Sequence, residues 1–308
     1  MKILFLGDVT ARSGRDAVIA ELPGLRQAYG ADFTIVNGEN AAHGKGITTK
    51  IYRSLKEAGA DLITLGNHAF SKSEIITGMD SCPDLIRPAN LEPVDAGASW
   101  AVRTCQGRRI AVINLLGNIF MDCATESPFA AMDRILPEVQ ADVILVDLHA
   151  ETTSEKQLFF HRYRQRISAV IGTHTHVQTA DECVLGGCAF ISDVGMCGPY
   201  ESIIGRSIEE VIARMIGQAQ TRFTPAEDRQ LSAGLSLRSM TIPAGPSALR
   251  EYRNVRSEER AFSFCLPEAL LPVRFLSCGK TVKICMGLLD IIILEMMQYG
   301  DEHDRRRT

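Results

Sequence analysis

Short apolar runs alternate with longer segments of mixed polarity over about the first 235 residues of the chain. Apolar runs bounded by turn residues are typical of buried strands, and the segments between them have the length of helices. The alternation predicts an α/β architecture in which helices cover a mostly buried sheet. Pro23 is expected to end or bend the first helix. The predicted strands are Lys2–Gly7, Phe33–Asn37, Leu62–Leu65, Arg109–Leu115, Val143–Leu148, Ala169–Gly172 and Ala189–Ser192, and the predicted helices are Ser13–Leu22, Thr48–Ala58, Pro128–Leu136, Thr153–Tyr163 and Ile208–Ile216.

The pattern changes near Leu235. Residues 236–260 are polar and weakly patterned, the stretch from Phe262 to Met297 is apolar but interrupted by prolines, and the chain ends in a charged tail. We therefore predict one domain over residues 1–240 and an atypical C-terminal extension of unknown structure over 241–308. Two alternatives stay open for the extension. It is either a genuine segment that packs on the domain or mediates assembly, or an altered or fused sequence that is partly disordered.

Polar side chains follow several of the apolar runs, at the points where strands should end. Three short strings carry most of them: Gly38-Glu39-Asn40, Gly66-Asn67-His68 and Gly172-Thr173-His174-Thr175-His176. Asp8 and His149 each follow a further apolar run. Ligands of open α/β sheets bind at the carboxyl ends of strands. The positions therefore predict that these residues form one shared site.

The residue types at these positions are those that bind metal ions. His174 and His176 can point the same way in a strand, or reach two adjacent ions from a turn. Imidazole nitrogen suits zinc, iron, manganese or nickel. Glu39 could place one carboxylate oxygen on each of two ions about 3.5–4 Å apart. Each residue taken alone has another interpretation: solvated loop histidines, an Asx-type turn around Glu39, or a helix cap at Asp8.

His68 has a different expected role from its neighbour Asn67. The two side chains diverge, so Asn67 can bind an ion while His68 faces a substrate as a general acid. The alternative for His68 is a histidine satisfied by a backbone carbonyl. His149 is interpreted as a further ligand. Asp147 is expected to point to the opposite face of the same strand, and it is interpreted as structural.

Weaker candidates flank these positions. Glu151 and Glu155 could support the site from behind the ligands or cap a helix start. The glycine-spaced loop His43-Gly44-Lys45-Gly46 could meet a phosphate, although its spacing fits no P-loop. Cys197 is expected to be a small buried side chain rather than a reactive thiol.

Composition narrows the classes of partner. The formal net charge of −4 over 308 residues argues against a protein that binds duplex nucleic acid by neutralising many phosphates. No apolar stretch resembles a signal peptide or reaches the length of about 18 residues that a membrane span needs. The cytoplasm is therefore the expected compartment, without a membrane partner. The nine cysteines show no zinc-type pairing and are expected to be free thiols.

These strings, in this order, resemble the calcineurin-like metallophosphoesterase superfamily. Two departures from the broad pattern are typical of its YmdB-like branch of bacterial 2′,3′-cyclic-nucleotide phosphodiesterases. The string Asp8-Val9-Thr10 lacks the usual histidine, and Glu39 stands where the superfamily has an aspartate. The resemblance extends to longer strings and covers about Met1 to Leu235. The longer strings are Asn37–Gly46, Arg87–Asn90, Gly172–Asp181 and Asp193–Met196.

The resemblance implies a sheet sandwich flanked by helices, with a dimetal site at the strand ends. It implies two divalent or trivalent ions, iron or manganese, one held by Asp8, Glu39, Asn40 and His176 and the other by Glu39, Asn67, His149 and His174. The implied activity is hydrolysis of cyclic nucleotides, 2′,3′-cyclic ones above all, by a metal-bound hydroxide with His68 as proton donor. The expected partner is a small phosphodiester or nucleotide, and a homo-oligomer is left open. The alternatives are a slow or inactive phosphate-binding regulator on the same scaffold and a phosphomonoesterase.

Overall fold

The computed structural model describes residues 1–92, 95–217, 224–226, 235–243 and 289–297. In chain order the strands are β1 (Lys2–Leu6), β2 (Asp8–Val9), β3 (Phe33–Asn37), β4 (Leu62–Thr64), β5 (Trp100–Cys105), β6 (Arg108–Leu116), β7 (Val143–His149), β8 (Ala169–Thr173), β9 (Cys183–Leu185), β10 (Cys188–Ile191), β11 (Met196–Cys197), β12 (Leu235–Pro243) and β13 (Leu289–Met297). The helices are α1 (Ala11–Tyr29), α2 (Thr49–Ala58), α3 (Ser73–Gly78), α4 (Pro128–Ile135), α5 (Thr153–Tyr163) and α6 (Ile208–Met215), with a short 3-10 helix at Met79–Ser81.

The strands form two sheets. The first has the order β2-β11-β13-β1-β3-β4, with β12 paired to β13. The second has the order β5-β6-β7-β8-β10-β9. The neighbours β1, β3 and β4 run parallel in the first sheet, and β6, β7, β8 and β10 run parallel in the second. The carboxyl ends of these parallel strands carry the predicted site residues, so each sheet contributes several of them along one edge.

Three apolar clusters divide the molecule into layers. Between the sheets, Phe5 and Ile35 of the first pack in one cluster with Leu145 and Ile171 of the second. The other face of the first sheet packs against α1 and α2, and the other face of the second packs against α4 and α5. The alternating inward and outward positions of each strand explain why both faces are apolar. The α/β class is confirmed, and the order of layers is helices, sheet, sheet, helices.

Helix α1 continues through Pro23, so of the two expected outcomes the proline does not end the helix. Proline removes one N–H and displaces the carbonyl four residues earlier, which is that of Ile19. Ile19 is exposed, so water can satisfy this carbonyl. Leu22 and Leu25 on either side are buried against the first sheet, and their packing continues the helix. The helix ends at Gly30, whose φ of 60° gives the left-handed cap.

Every other predicted strand and helix is present within about two residues of its predicted bounds. The pattern failed to predict β5, α3 and the three short strands β2, β9 and β11, which have too few residues to show a period. The described part of the predicted extension consists of residues 241–243 of β12 together with β13. Strand β13 pairs antiparallel with β1 and parallel with β12. The rest of 241–308, and with it both interpretations of the extension, lies outside the described residues.

No helix within the described ranges is long and apolar enough to cross a bilayer. Cys82, Cys105, Cys123 and Cys188 are free thiols, and Cys197 is fully buried, as expected. Its carbonyl accepts a hydrogen bond from the backbone of Thr10 at 2.8 Å.

Candidate metal centre

The edge shared by the two sheets gathers the predicted ligands into two overlapping groups. Glu39, His149 and His174 form one group, and Asp8, Glu39 and His176 form the other. In each group the donor atoms lie within 4.8 Å of one another. Glu39 belongs to both groups, which is the arrangement expected of a carboxylate between two ions. Asp8, Glu39 and His149 are buried.

The first group centres on His149 Nε2. This nitrogen lies 3.0 Å from Asn67 Oδ1, 3.0 Å from His174 Nδ1 and 3.2 Å from Glu39 Oε1. Two ring nitrogens and two oxygens therefore converge on one small volume. Because most of these atoms offer lone pairs rather than protons, a cation satisfies the set better than hydrogen bonds within it. Asn67 joins the group that the resemblance implies.

The second group includes the side chain of Asn40. Its amide nitrogen lies 2.8 Å from Glu39 Oε1 and 3.0 Å from His176 Nε2. An amide turned by 180° places its oxygen at the same point, so Asn40 can offer a ligand there. Asp8 Oδ1 is buried and has no hydrogen-bond partner among the described residues. A buried carboxylate oxygen without a partner is costly, and a bound cation would remove that cost.

Space and charge at the centre both fit a metal. A Cβ added at Gly66 would clash with Glu39 Oε2 and with His149 Nε2. Any side chain at this position would therefore displace these two predicted metal-binding atoms. Burial lowers the pKa of His149, but the charges of Glu39 and Asp8 raise it above its ordinary value. The two carboxylates therefore require positive charge beside them. The mixed nitrogen and oxygen donor set suits transition metals rather than calcium or magnesium.

The structure corrects the predicted direction of Asp147. Asp147 and His149 are two residues apart on β7 and share one face, which points between the sheets. Asp147 Oδ1 accepts a hydrogen bond from Thr173 Oγ1 at 2.7 Å. Its other oxygen accepts from Asn37 Nδ2 at 3.0 Å and from the Thr64 hydroxyl. Asp147 therefore has the structural role predicted for it, but its side chain lies on the same face of β7 as that of His149.

Thr173 links Asp147 to His149 and fixes the tautomer of the histidine. Its hydroxyl has one proton, which it donates to Asp147, so towards His149 Nδ1 at 2.9 Å it must accept. His149 therefore carries its proton on Nδ1, and the lone pair of Nε2 faces the donor cluster. The sequence analysis did not predict this role of Thr173, because its partner His149 lies opposite it on the neighbouring strand and 24 residues away in sequence.

A contact with a backbone carbonyl has the same effect on His176. Its Nδ1 lies 3.0 Å from the carbonyl of Ile204, an acceptor, so the proton sits on Nδ1 and Nε2 is free for the cluster. His174 and His176 both have positive φ, of 101° and 66°. Non-glycine residues hold such conformations only where surrounding contacts impose them.

A buried ion pair holds the backbone between these histidines. Lys156 Nζ donates to the Thr173 carbonyl at 2.9 Å and to Asp193 Oδ2 at 3.0 Å. The same Asp193 oxygen accepts from the backbone of Thr175 at 3.0 Å. His174 in turn donates its backbone N–H to Asp8 Oδ2 at 3.1 Å. The backbone of this turn is therefore held on one side by the Lys156–Asp193 ion pair and on the other by Asp8, a predicted ligand.

His68 belongs to neither donor group and lines the cavity beside them, as expected. The cavity has a volume of about 250 Å³. Burial lowers the pKa of His68, opposed by the charge of Glu39 and reinforced by those of Lys45 and Arg206. Its backbone N–H donates to Glu39 Oε2 at 3.1 Å. The side chains at the cavity wall include those of Glu39, Asn40, His68, His174, His176 and Arg206.

The weaker candidates have separate positions. Glu151 Oε2 lies 3.0 Å from His174 Nε2 and so supports a predicted ligand. Glu155 accepts instead from the backbone of Asn118 at 2.9 Å, and it holds the loop after β6. His43 has a φ of 57° and an exposed side chain. Arg206 is a further residue near the site that the sequence did not indicate. Its guanidinium donates a hydrogen bond to the carbonyl of Gly44 at 3.2 Å.

The Thr173 hydroxyl should be needed for folding stability. Thr173→Val keeps the shape of the side chain but leaves His149 Nδ1 and Asp147 Oδ1 without that partner, so we expect a loss of about 1–3 kcal/mol in urea denaturation. Thr34→Val is the matched control, because the buried Thr34 hydroxyl on β3 has no hydrogen-bond partner among the described residues. The control should be neutral or slightly stabilising. Equal effects of the two substitutions would contradict the role given to Thr173.

Comparison with known proteins identifies the family to which the chain belongs. The model of the YmdB-like protein family matches residues 4–241. A protein of Bacillus subtilis (strain 168) named 2′,3′-cyclic-nucleotide 2′-phosphodiesterase is 46% identical over 238 residues, which cover 76% of this chain and 90% of that protein. A hypothetical protein from Thermus thermophilus has a crystal structure with a TM-score of 0.70 at 43% identity, covering 74% of this chain and 89% of that one. The crystal structure of a novel phosphatase of Mycoplasma pneumoniae also gives a TM-score of 0.70, at 36% identity, covering 76% of this chain and 84% of that one. The chain therefore belongs to the YmdB-like family.

Proposed function

We propose that this phosphoric ester hydrolase is a metal-dependent phosphodiesterase that hydrolyses cyclic nucleotides, with 2′,3′-cyclic nucleotides as the substrate class. The observation that carries the proposal is the pair of donor groups that share Glu39 and border a cavity lined by His68. The name of the Bacillus subtilis relative supports the substrate class. The two packed sheets with helices on both outer faces agree with a calcineurin-like sandwich, whose proposed site lies where the parallel strands of both sheets end.

The proposed ligands follow the two groups, each completed by an asparagine. One ion would be held by Asp8, Glu39, Asn40 and His176, and the other by Glu39, Asn67, His149 and His174. Iron or manganese suits this set of imidazole, carboxylate and amide donors. When bound, two such ions supply an activated water and positive charge for the phosphate oxygens.

The residues of the chain prepare the site for that chemistry. The hydrogen bonds to Thr173 and to the Ile204 carbonyl hold the Nδ1 proton of His149 and of His176, so that each ring directs Nε2 to the donor cluster. The backbone N–H of His68 donates to Glu39 Oε2 and holds this carboxylate in place. Such support reduces the reorganisation that binding requires.

His68 is the proton donor in this proposal. Hydrolysis of a cyclic phosphodiester adds water to phosphorus and breaks one P–O bond to the ribose. The departing ribose oxygen needs a proton, which His68 would supply from the cavity wall and regain from solvent. A protein that only bound phosphate would have no use for a proton donor at this position, so His68 favours an enzyme over a slow or inactive regulator.

Metal analysis coupled to a substrate panel tests the function. The purified protein should contain two metal ions per chain, and it should turn over 2′,3′-cyclic AMP faster than 3′,5′-cyclic AMP or a nucleoside monophosphate. Faster turnover of the monophosphate would favour the phosphomonoesterase alternative. Protein that binds no iron or manganese at any concentration tested would overturn the proposal.

Substitution of His68 separates proton donation from metal binding. His68→Ala should keep the full metal content but lower kcat by about 10²–10⁴-fold, the usual contribution of general acid catalysis. His161→Ala is the matched control, since His161 is exposed on α5 and belongs to neither donor group. Unchanged turnover of His68→Ala at full metal content would exclude the role.

Substitution of Glu39 tests whether one carboxylate serves both ions. Glu39→Ala removes a member of both donor groups, so we expect metal content to fall from two ions per chain to less than one, with no detectable turnover. Glu151→Ala is the control, because Glu151 is an exposed carboxylate that contacts His174 from outside the donor groups. It should keep at least one ion. Loss of only one ion in Glu39→Ala would mean that Glu39 does not bridge.

A further inference from the structure

Arg206 is one of the residues that line the cavity. Its side chain is half-buried, and burial lowers its pKa, with the charge of Glu210 opposing. Within the described part of the chain, no carboxylate forms a salt bridge with it, and its one side-chain hydrogen bond is the one from Nη2 to the Gly44 carbonyl. A cation that has lost part of its hydration without gaining a carboxylate is costly unless another anion binds there.

The backbone on both sides fixes the position of this side chain. Arg206 forms bridge pairs with Ile203 and with Pro225. The guanidinium packs on Gly44, where an added Cβ would come within 2.9 Å of Nη1. Gly44 has a φ of 79°, which a glycine adopts without strain. Only one of the five N–H donors of the guanidinium is used at Gly44, so the others are available to a ligand.

The charge of Arg206 acts on the groups that would surround the substrate. It lies close enough to His68 to contribute to the lowering of the His68 pKa. Glu39 and Asn40 line the same cavity. The proposed ions would therefore lie beside one part of the cavity wall and the guanidinium beside another. A monoanionic phosphate group between them would meet positive charge on both sides.

We propose that Arg206 binds a non-bridging oxygen of the phosphate group of the substrate and holds it against the metal ligands. The planar fork of arginine matches two phosphate oxygens, which a lysine cannot do. The inference rests on the proposed function only for the identity of the substrate as a phosphate ester. The residue is a binding residue, and its loss should weaken binding of phosphate more than it slows the chemical step.

Phosphate binding and kinetics test the inference together. Inorganic phosphate is titrated into the purified protein by calorimetry, and KM and kcat are measured with 2′,3′-cyclic AMP. Arg206→Ala should raise both the phosphate Kd and the KM by about ten- to a hundredfold, the usual range for a hydrogen bond to a charged group, with a smaller change in kcat. Arg206→Lys should keep part of the affinity. Arg53→Ala, which removes an exposed arginine of α2, should change neither value.

A second variant displaces the guanidinium without removing its charge. Gly44→Ala places a methyl group against Nη1, so it should raise the KM in the same direction as Arg206→Ala. Gly107→Ala is its matched control, since Gly107 has a similar φ of 75° and a Cβ there meets no atom within 4 Å.

Metal content decides between binding and a purely structural role. Arg206 lies two residues after Ile204, whose carbonyl holds His176. If Arg206→Ala loses metal together with phosphate affinity, the residue only supports the ligand loop and the inference is overturned. Unchanged phosphate Kd and KM in Arg206→Ala would also overturn it, while leaving the hydrolase proposal intact. Phosphate binding that depends on Arg206 in a protein without diester turnover would support the inference and count against the proposed function alone.

Discussion

The buried carboxylate of Asp147 is the contact on which the edge of the sandwich depends. It accepts hydrogen bonds from Thr173 on the neighbouring strand and from Asn37 and Thr64 on the opposite sheet. Asn37 also accepts the backbone N–H of Glu39 at 3.1 Å. One carboxylate therefore joins both sheets and reaches members of both donor groups. Burial raises its pKa, and the hydrogen bonds from these three side chains oppose that effect.

This network explains how an apolar sandwich can end in a polar site. Farther from the edge, the space between the sheets is filled by apolar side chains such as Phe5 and Leu145. Their packing sets the distance between the sheets but does not fix the rotamer of a neighbouring side chain. Hydrogen bonds are directional, so the layer around Asp147 fixes the rotation of the ring of His149 as well as its position. A buried polar layer of this kind is stabilising only when all its members are satisfied, which makes it sensitive to single substitutions.

The sequence was sufficient to predict which residues meet but not how they are held. The predicted ligands lie at strand ends, and apolar runs mark strand ends, so Asp8, Glu39 and His149 could be placed from the pattern alone. The positioning hydrogen bonds join residues that are distant in sequence, and no local spacing indicates them. Asp147 was assigned to the wrong face, although residues two apart in a strand, such as Asp147 and His149, point to the same face. Pro23 does not end α1, because burial on both sides of it outweighs one lost hydrogen bond.

Charge sets the order in which the site can be filled. Asp8 and Glu39 bring two buried carboxylates to a small volume, and the histidines beside them are held with Nε2 facing inward. Such a centre attracts cations first and would repel a phosphate that arrived before them. Bound cations would reverse the sign, and the substrate anion of the proposed function would then be attracted both by them and by Arg206. Before cations bind, the one guanidinium is opposed by two carboxylates, so in the proposed function metal binding would precede substrate binding.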